Sequence, residues 1–585
     1  MVIKTSMEAS LPPEAEFALY SDLFEMLSAP TEMEGETSHE HKFWYTAKTA
    51  LSLGRSGDYT SLCSLEARPA VFSGAESYYR AAQFAALFRK RDDVGDRAVR
   101  ERTALESFFE AEDACRRTNT FIWKLRYGGV GDLTVPGLLL DSLHRARNEI
   151  RRILGPCPAF DELPCYLGPG ATTQVVRKLA NARVKLGQMF ACSESMLPVL
   201  GRVLESMPDF IFRHPDDGES ATVSVQIHDC KLSFVPKSYS TFRSIAVEPW
   251  LNSFVQLGIG TVMARRLRAF GLDLRDQTAN QQLALRGSID GSLATIDLSR
   301  ASDSVSYQLV RELLPDDWFE LLSVARSPRI AYHGKTARLQ KFSSMGNGFT
   351  FPLQSMIFYT LARAVCRSLG LPVDDVRAYG DDIIVPVEAY DPLTFLLGLL
   401  GFAVNEEKSF SQGPFRESCG CDYWQGIDVR PIFIHKRPDY FDLFTLHNGL
   451  VRKGRTELAS VVRRYIPDPL ILNGPDGYGD GHLIGYPFDP VRRKSHVRKG
   501  WGGYTFDTYW RKPRRYCRPH PGDYLYPSYS IYRRGEGQPL VATDDNGDIV
   551  VTIGDSSDSS NTIPGTRGYK RLSIYTLDLA SVEAT

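Results

Sequence analysis

Residues 375–387 read DVRAYGDDIIVPV. Two short apolar runs, Val376 with Ala378 and then Ile383, Ile384 and Val385, enclose Tyr379-Gly380-Asp381-Asp382. This spacing predicts a hairpin whose tight turn carries two adjacent carboxylates. Side by side, two acids repel, and one is driven to a higher pKa unless a cation neutralises the pair. Magnesium prefers hard oxygen ligands and needs few protein carboxylates, because phosphate oxygens and water complete its shell. The turn therefore reads as half of a metal site, although an Asp-Asp turn standing alone is more often simply solvated.

The other half lies upstream, in SLATIDLSRASDSVSYQLVRELL (292–314). A short apolar run ends at Asp297, which predicts an acid at a strand end, where a sheet presents it beside the 381–382 turn. A polar turn follows, with Ser302 or Asp303 suited to cap the next helix. Between the two halves runs SSMGNGFTFPLQSMIFYTLARAVCRSLG (343–370). Gly346 and Gly348 mark a turn that carries Ser344 and Asn347, and Pro352 suits the first turn of a long apolar helix.

A chain of 585 residues, 43% hydrophobic and 24% charged, has ample material for a large core. Its 69 Lys and Arg nearly cancel its 70 Asp and Glu. Global charge is thus silent on nucleic acid, and an RNA-binding surface has to come from segregated charge. Among the scattered cysteines only Cys419 and Cys421 lie close together, without a second pair at zinc-site spacing. They read as two reduced thiols in a turn. No basic-then-apolar leader opens the chain, and no run reaches the roughly 18 apolar residues of a spanning helix. Both observations predict a soluble, cytoplasmic protein.

Outward from the centre, residues 1–165 look helical. YYRAAQFAALFRKRDD (78–93) and LLLDSLHRARNEIRRIL (138–154) carry apolar residues at helical spacing. Alternating apolar stretches at 220–250 predict strands, and WLNSFVQLGIGTVMARRLRAFG (250–271) predicts an apolar helix. Residues 491–520 hold ten Lys or Arg against one acid, Asp507, with aromatic residues interleaved. That composition suits tracking an RNA backbone and stacking bases, or equally a solvated face over buried aromatics. Residues 541–565 are polar and turn-rich, a loop or short hairpin. DGYGDG (476–481) lacks the regular ligand spacing of a calcium loop and reads as a structural turn.

Taken in order, Asp297-x5-Asp303, the Ser344-Met-Gly-Asn347-Gly turn and Tyr379-Gly-Asp381-Asp382 resemble motifs A, B and C of viral RNA-dependent RNA polymerases. With VPK…R…AVEP (235–249), DQTANQ (276–281), NEEKSF (405–410), GPFRESCG (413–420) and DGYGDG, the chain looks like the replicase beta subunit of the small single-stranded RNA bacteriophages, the leviviruses. The resemblance runs from about Leu167 to Gly485.

The resemblance implies an α+β fold, the right-hand polymerase of fingers, palm and thumb, with an antiparallel palm sheet and largely helical surroundings. The implied division is a helical region at 1–165 contributing to fingers and partner binding, fingers with a basic triphosphate-binding motif at 166–285, the palm at 286–430, and the thumb and C-terminal region at 431–585. Asp297, Asp381 and Asp382 match the metal-binding, catalytic carboxylates. Asp303 and Asn347 match the positions that recognise the ribose hydroxyls, and Ser344 joins the nucleotide-binding set on the same turn. Lys237 and Arg243 match the basic motif that meets the triphosphate. Lys408 matches a lysine that protonates departing pyrophosphate.

Two departures stand out. Arg300 occupies a position where a small residue is common, free either to touch phosphate or to pair with an acid. No further basic residue lies between Lys237 and Arg243.

The implied enzyme copies genomic single-stranded RNA from ribonucleoside triphosphates in the cytoplasm of a bacterial host, initiating without a primer. Its implied cofactor is two Mg2+ ions, with Mn2+ as a substitute, about 3.5–4 Å apart to stabilise attacking and leaving oxygens together. Host elongation factors Tu and Ts and a host ribosomal protein are the implied partners. Two other readings compete. A reverse transcriptase shares the carboxylates, but ribose-reading groups at Asp303 and Asn347 count against it. A non-catalytic RNA-binding subunit that keeps the fold is disfavoured by the intact set of aspartates.

Overall fold

The computed structural model describes residues 6–29, 38–127, 137–180, 182–186, 189–205, 224–491, 504–511, 540–543, 549–552 and 565–571. Two compact units emerge from residues remote in sequence: Asp96–Arg430 forms the body of one, and Met1–Gly95 with Pro431–His520 that of the other. Both mix helices with small sheets, so the protein is α+β as its sequence predicts. No helix among the described residues is long and apolar enough to cross a membrane.

Within the 96–430 unit, the buried helix Thr350–Ser368 is the axis of the core. Apolar side chains cover nearly its whole circumference, so it must be packed on all sides. Helix Gly137–Leu154 lies against it. There Leu139, Leu143, Ala146, Ile150 and Ile153 recur at three- and four-residue intervals and are all buried. The buried acid on that contact, Glu149, is satisfied by two cations of the axial helix, Arg363 at 2.7 Å and Arg367 at 2.5 Å. Pairing of this kind keeps a buried carboxylate charged and hydrogen-bonded.

Three short strands lie against the axial helix in an antiparallel sheet, ordered Leu293–Ile296, Asp382–Pro386, Arg377–Tyr379. A second sheet joins Phe242–Val247, Cys230–Pro236, Arg329–Tyr332 and Lys335–Arg338, and only the first two of these strands fall in the alternating stretch at 220–250. The helix after Asp303 starts later than its sequence suggests. Residues Ala301–Asp303 make a separate 3-10 turn, and Ser306, not Ser302 or Asp303, precedes helix Tyr307–Leu313. The expected helix at 250–271 is present as Trp250–Ala269.

The other unit packs helices Pro13–Ser28, Ser38–Gly54 and Ala75–Arg89 through an aromatic cluster of Tyr20, Phe24, Trp44, Phe84 and Phe88. Of the basic aromatic segment 491–520, only Val491 and residues 504–511 are described. They include strand Thr505–Arg511, paired with Gly565–Arg571; the remainder of the segment lies outside the described residues. In the polar tail, Leu540–Thr543 and Ile549–Thr552 pair as a hairpin, and most of the rest falls outside them too.

Glu248, at the end of strand Phe242–Val247, is wholly buried, and burial pushes its carboxyl up to about 7 against the usual 4.5. Its Oε2 accepts a hydrogen bond from Ser327. Below about pH 4.5 the group is protonated whether or not the chain is folded. From there to about pH 7 the unfolded chain releases a proton that the folded chain keeps, so stability falls across this window and levels off above it. Glu248→Gln keeps an acceptor for Ser327 and removes the penalty. In thermal melts its stability relative to wild type should therefore improve from about pH 5 to about pH 7 and then stay constant. A relative stability independent of pH contradicts the assignment.

Candidate active site

The antiparallel register of the small sheet pairs Ile296 with Ile383. Carried one residue further, it sets Asp297 opposite Asp382. Residues so opposed share a face, with Cα atoms about 4.5–5.5 Å apart. On the other side, Asp382 pairs with Tyr379, which leaves Gly380 and Asp381 as a two-residue loop. Gly380 has φ 63 while Asp381 does not enter the left-handed region, the pattern of a hairpin turn that calls for glycine at its first central position. The turn is also pressed onto the axial helix. Gly380 N donates to Ser355 Oγ at 2.9 Å, and a Cβ at Gly380 would meet the Phe351 ring at 2.9 Å. All three aspartates thus converge on one edge of the sheet.

Asp297 is held from a loop more than a hundred residues away. Asn405 Nδ2 donates to Asp297 Oδ2 at 2.8 Å, and Asn405 N donates to the Asp297 carbonyl at 2.9 Å. Asp297 N donates to Ser409 Oγ at 3.1 Å. Burial raises the Asp297 carboxyl above its usual range; the charge of Lys408 and the Asn405 hydrogen bond oppose that rise, while Asp381 and Glu417 add to it. Asp382 is pushed to about 7, chiefly by burial, with the Cys419 amide opposing and the charges of Asp381, Asp297 and Glu417 reinforcing. Cys419 and Gly420, both at positive φ, form the tip of a second hairpin whose strands are Phe415–Ser418 and Cys421–Trp424. Cys419 thus has a backbone role beside Asp382 that its reading as one of two thiols in a turn did not convey.

Cations face this edge. In the hairpin of Cys230–Pro236 and Phe242–Val247, Arg243 pairs with Val235, and Lys237 follows two residues later on the same face. Burial lowers the Lys237 ammonium, as do the charges of Arg243 and Lys408, whereas Asp297 and Asp381 raise it. Lys237, Arg243 and Lys408 therefore share one electrostatic neighbourhood with the aspartates. Arg300 pairs with Glu110 at 2.9 Å, the acid partner that one of its two sequence readings expects.

The 343–350 turn is fixed by its own hydrogen bonds, with Thr350 Oγ1 donating to Ser343 Oγ or the Ser344 carbonyl and Phe349 N donating to Asn347 Oδ1. Gly346 has φ 106, and a Cβ there would strike the Ala246 carbonyl. Ser344 Oγ is buried without a hydrogen-bond partner, whereas the Asn347 side chain reaches the Glu248 carboxyl and opposes its rise. Such an orphan is rare in folded proteins and needs an explanation. Asp303 Oδ1 accepts from Lys341 Nζ at 2.8 Å. Among the described residues, no hydrogen bond or ion pair joins Asp303, Ser344 or Asn347 to the three aspartates.

Nor, among the described residues, do three His, Cys, Asp or Glu side chains close around a point as a complete metal cage. The aspartates form an open set of hard oxygen donors. An open set fits magnesium, which is commonly held by one or two carboxylates with substrate phosphates and water making up the rest. Sequence reasoning missed Asn405, Ser409, Glu417 and Cys419 as neighbours of the site. The first two lie in the NEEKSF segment, and nothing local to them signals a contact with Asp297.

The family model described as RNA replicase, beta-chain, matches residues 45–499. The RNA-directed RNA polymerase subunit beta of Escherichia virus Qbeta is 37% identical over 472 residues, covering 78% of this chain and 77% of that one. Its counterpart from Enterobacteria phage SP is 36% identical over 459 residues, covering 75% and 78%. The RNA-directed RNA polymerase beta chain of Escherichia phage MS2 is 45% identical over 212 residues, 36% of this chain and 38% of that one. With an aspartate-bearing hairpin at its centre and relatives matched over most of both lengths, the chain belongs to the RNA replicase beta-chain family of RNA-directed RNA polymerases.

Proposed function

We propose that this polymerase extends RNA by nucleotidyl transfer at the edge formed by Asp297, Asp381 and Asp382, with single-stranded RNA as template and ribonucleoside triphosphates as substrates. The observation that carries the reading is the strand register that sets Asp297 opposite Asp382 beside the Gly380-Asp381 turn. Mutual repulsion and burial make these carboxylates a poor arrangement for stability alone, and a divalent cation removes that cost. The three aspartates would hold two Mg2+ ions, with Mn2+ as a substitute. When bound, such ions acidify an attacking hydroxyl and neutralise phosphate charge.

The chain's own residues supply the rest. Asn405 fixes the Asp297 carboxylate in one orientation. Lys237 and Arg243, on one face of their hairpin, bind the triphosphate, for which guanidinium offers paired donors. Lys408, close enough to Asp297 to influence its ionisation, donates a proton to departing pyrophosphate. Asp303 accepts from a ribose hydroxyl. Ser344 Oγ, buried and unpartnered, takes a nucleotide as its missing partner, and Asn347 on the same turn joins it there. Base pairing supplies copying specificity. We further propose, on the family resemblance, initiation without a primer and assembly in a bacterial host cell with elongation factors Tu and Ts and a ribosomal protein.

Labelled ribonucleotide incorporation on a defined RNA, with and without bacterial extract, tests the reading. Asp297→Asn, Asp381→Asn and Asp382→Asn should each reduce incorporation by at least about a hundredfold, the scale on which loss of a charge-stabilising group acts. Their melting temperatures should hold or rise, since each removes one of three repelling charges. Incorporation that survives all three substitutions rules the site out. Lys408→Met should lower kcat by about a hundredfold with little change in KM, the range of general acid catalysis. A loss confined to KM would make Lys408 a substrate-binding group instead.

A further inference from the structure

Lys341 has an ammonium with no access to solvent, a rare situation for lysine. Nζ donates to Asp303 Oδ1 at 2.8 Å, lies 3.4 Å from Glu112 Oε1, and sits 3.6 Å above the Phe108 ring. Phe108 and Glu112 are one turn apart on the long helix Arg97–Tyr127, so they present a ring face and a carboxylate to the same point. Glu112 is itself fixed, because its Oε2 accepts from Gln340 N. The backbone around Lys341 is tied down as well. Its carbonyl accepts from Arg326 Nη1 at 3.1 Å, Phe342 N donates to the Val305 carbonyl at 2.8 Å, and Tyr307 N donates to the Gln340 carbonyl at 3.1 Å.

The consequence falls on Asp303. Its backbone is held within the 301–303 turn, with Cys115 Sγ donating to its carbonyl at 3.3 Å. Its Oδ1 is engaged by a buried cation that restrains the carboxylate, and its Oδ2 makes no hydrogen bond among the described residues. The segment that carries Lys341 continues into Ser344, whose Oγ is buried and unpartnered, and on to Asn347. One buried ammonium thus joins the Asp303 turn to the 344–348 turn. A buried ion pair is a weak source of net stability but a strong constraint on geometry.

We propose that Lys341, braced by Glu112 and Phe108, is a positioning residue that locks the Asp303 carboxylate for ribose recognition and so sets the preference for ribonucleotides over deoxyribonucleotides. The inference rests on the reading of Asp303 as a ribose acceptor. A site that holds a polar acceptor for a substrate hydroxyl discriminates against an analogue lacking it, and the discrimination depends on how rigidly the acceptor is held.

The test is the ratio of kcat/KM for a ribonucleoside triphosphate to that for the matching deoxyribonucleotide on one RNA template. Such a ratio is independent of the fraction of active protein. Asp303→Asn and Lys341→Met should each lower it by about tenfold or more, and the double variant should lower it no further than either alone. Should Lys341→Met fail to fold, Lys341→Met combined with Glu112→Gln removes the carboxylate charge stranded on the helix and carries the same expectation. A wild-type ratio in the Lys341 variants beside a reduced one in Asp303→Asn overturns the role of Lys341 and leaves the Asp303 reading intact. A wild-type ratio in Asp303→Asn overturns the ribose reading itself. Additive losses in the double variant would mean that Lys341 acts by another route, which also overturns the proposal.

Discussion

Two carboxylates facing each other across neighbouring strands are the constraint around which the centre of this molecule is arranged. The pairing of Leu293–Ile296 with Asp382–Pro386 buries both strands behind Asp297 and Asp382, and a one-residue shift would both exchange the two faces of packed side chains and part the two aspartates. Like charges directly opposite on a sheet are unfavourable, and burial makes them more so. Burial above all, with the charges of Asp381 and Asp297 adding to it, pushes Asp382 up to about 7.

Several neighbours limit the conflict without abolishing it. The Asn405 amide and the Lys408 ammonium favour the charged form of Asp297, and the Cys419 amide does the same for Asp382. Lys237 loses some of its own proton affinity to burial and to Arg243 and Lys408, and regains part from the aspartates. Acids and cations thus gather at one edge of the sheet and shift one another's ionisation, the arrangement on which the proposed function rests. The scaffold beneath is rigid. Gly380 and Gly346 bring two turns against their supports so closely that a side chain at either position would collide.

Much of this was legible in the sequence because it is local. A two-residue loop between short apolar runs announces the 377–386 hairpin, and the apolar run before Asp297 announces a strand end. Amphipathic spacing marks helices such as Gly137–Leu154. What escaped depends on distance along the chain. Nothing near Asn405 tells that its amide reaches Asp297, and nothing near Lys341 tells that it buries its charge between Asp303 and Glu112. Ser302 and Asp303 look like helix caps because the residue types are right, yet the intervening 3-10 turn moves the helix start to Tyr307. Arg300 was ambiguous for the same reason, since its partner Glu110 comes from a remote helix.

Crystals of the chain grown with Mn2+ and a ribonucleoside triphosphate, measured at the manganese absorption edge, give the most direct view of the centre. The account predicts an anomalous-difference peak within coordination distance, about 2.0–2.2 Å, of carboxylate oxygens from both Asp297 and Asp382. A map whose manganese peaks all lie elsewhere, with those two carboxylates bare beside a bound triphosphate, would contradict it.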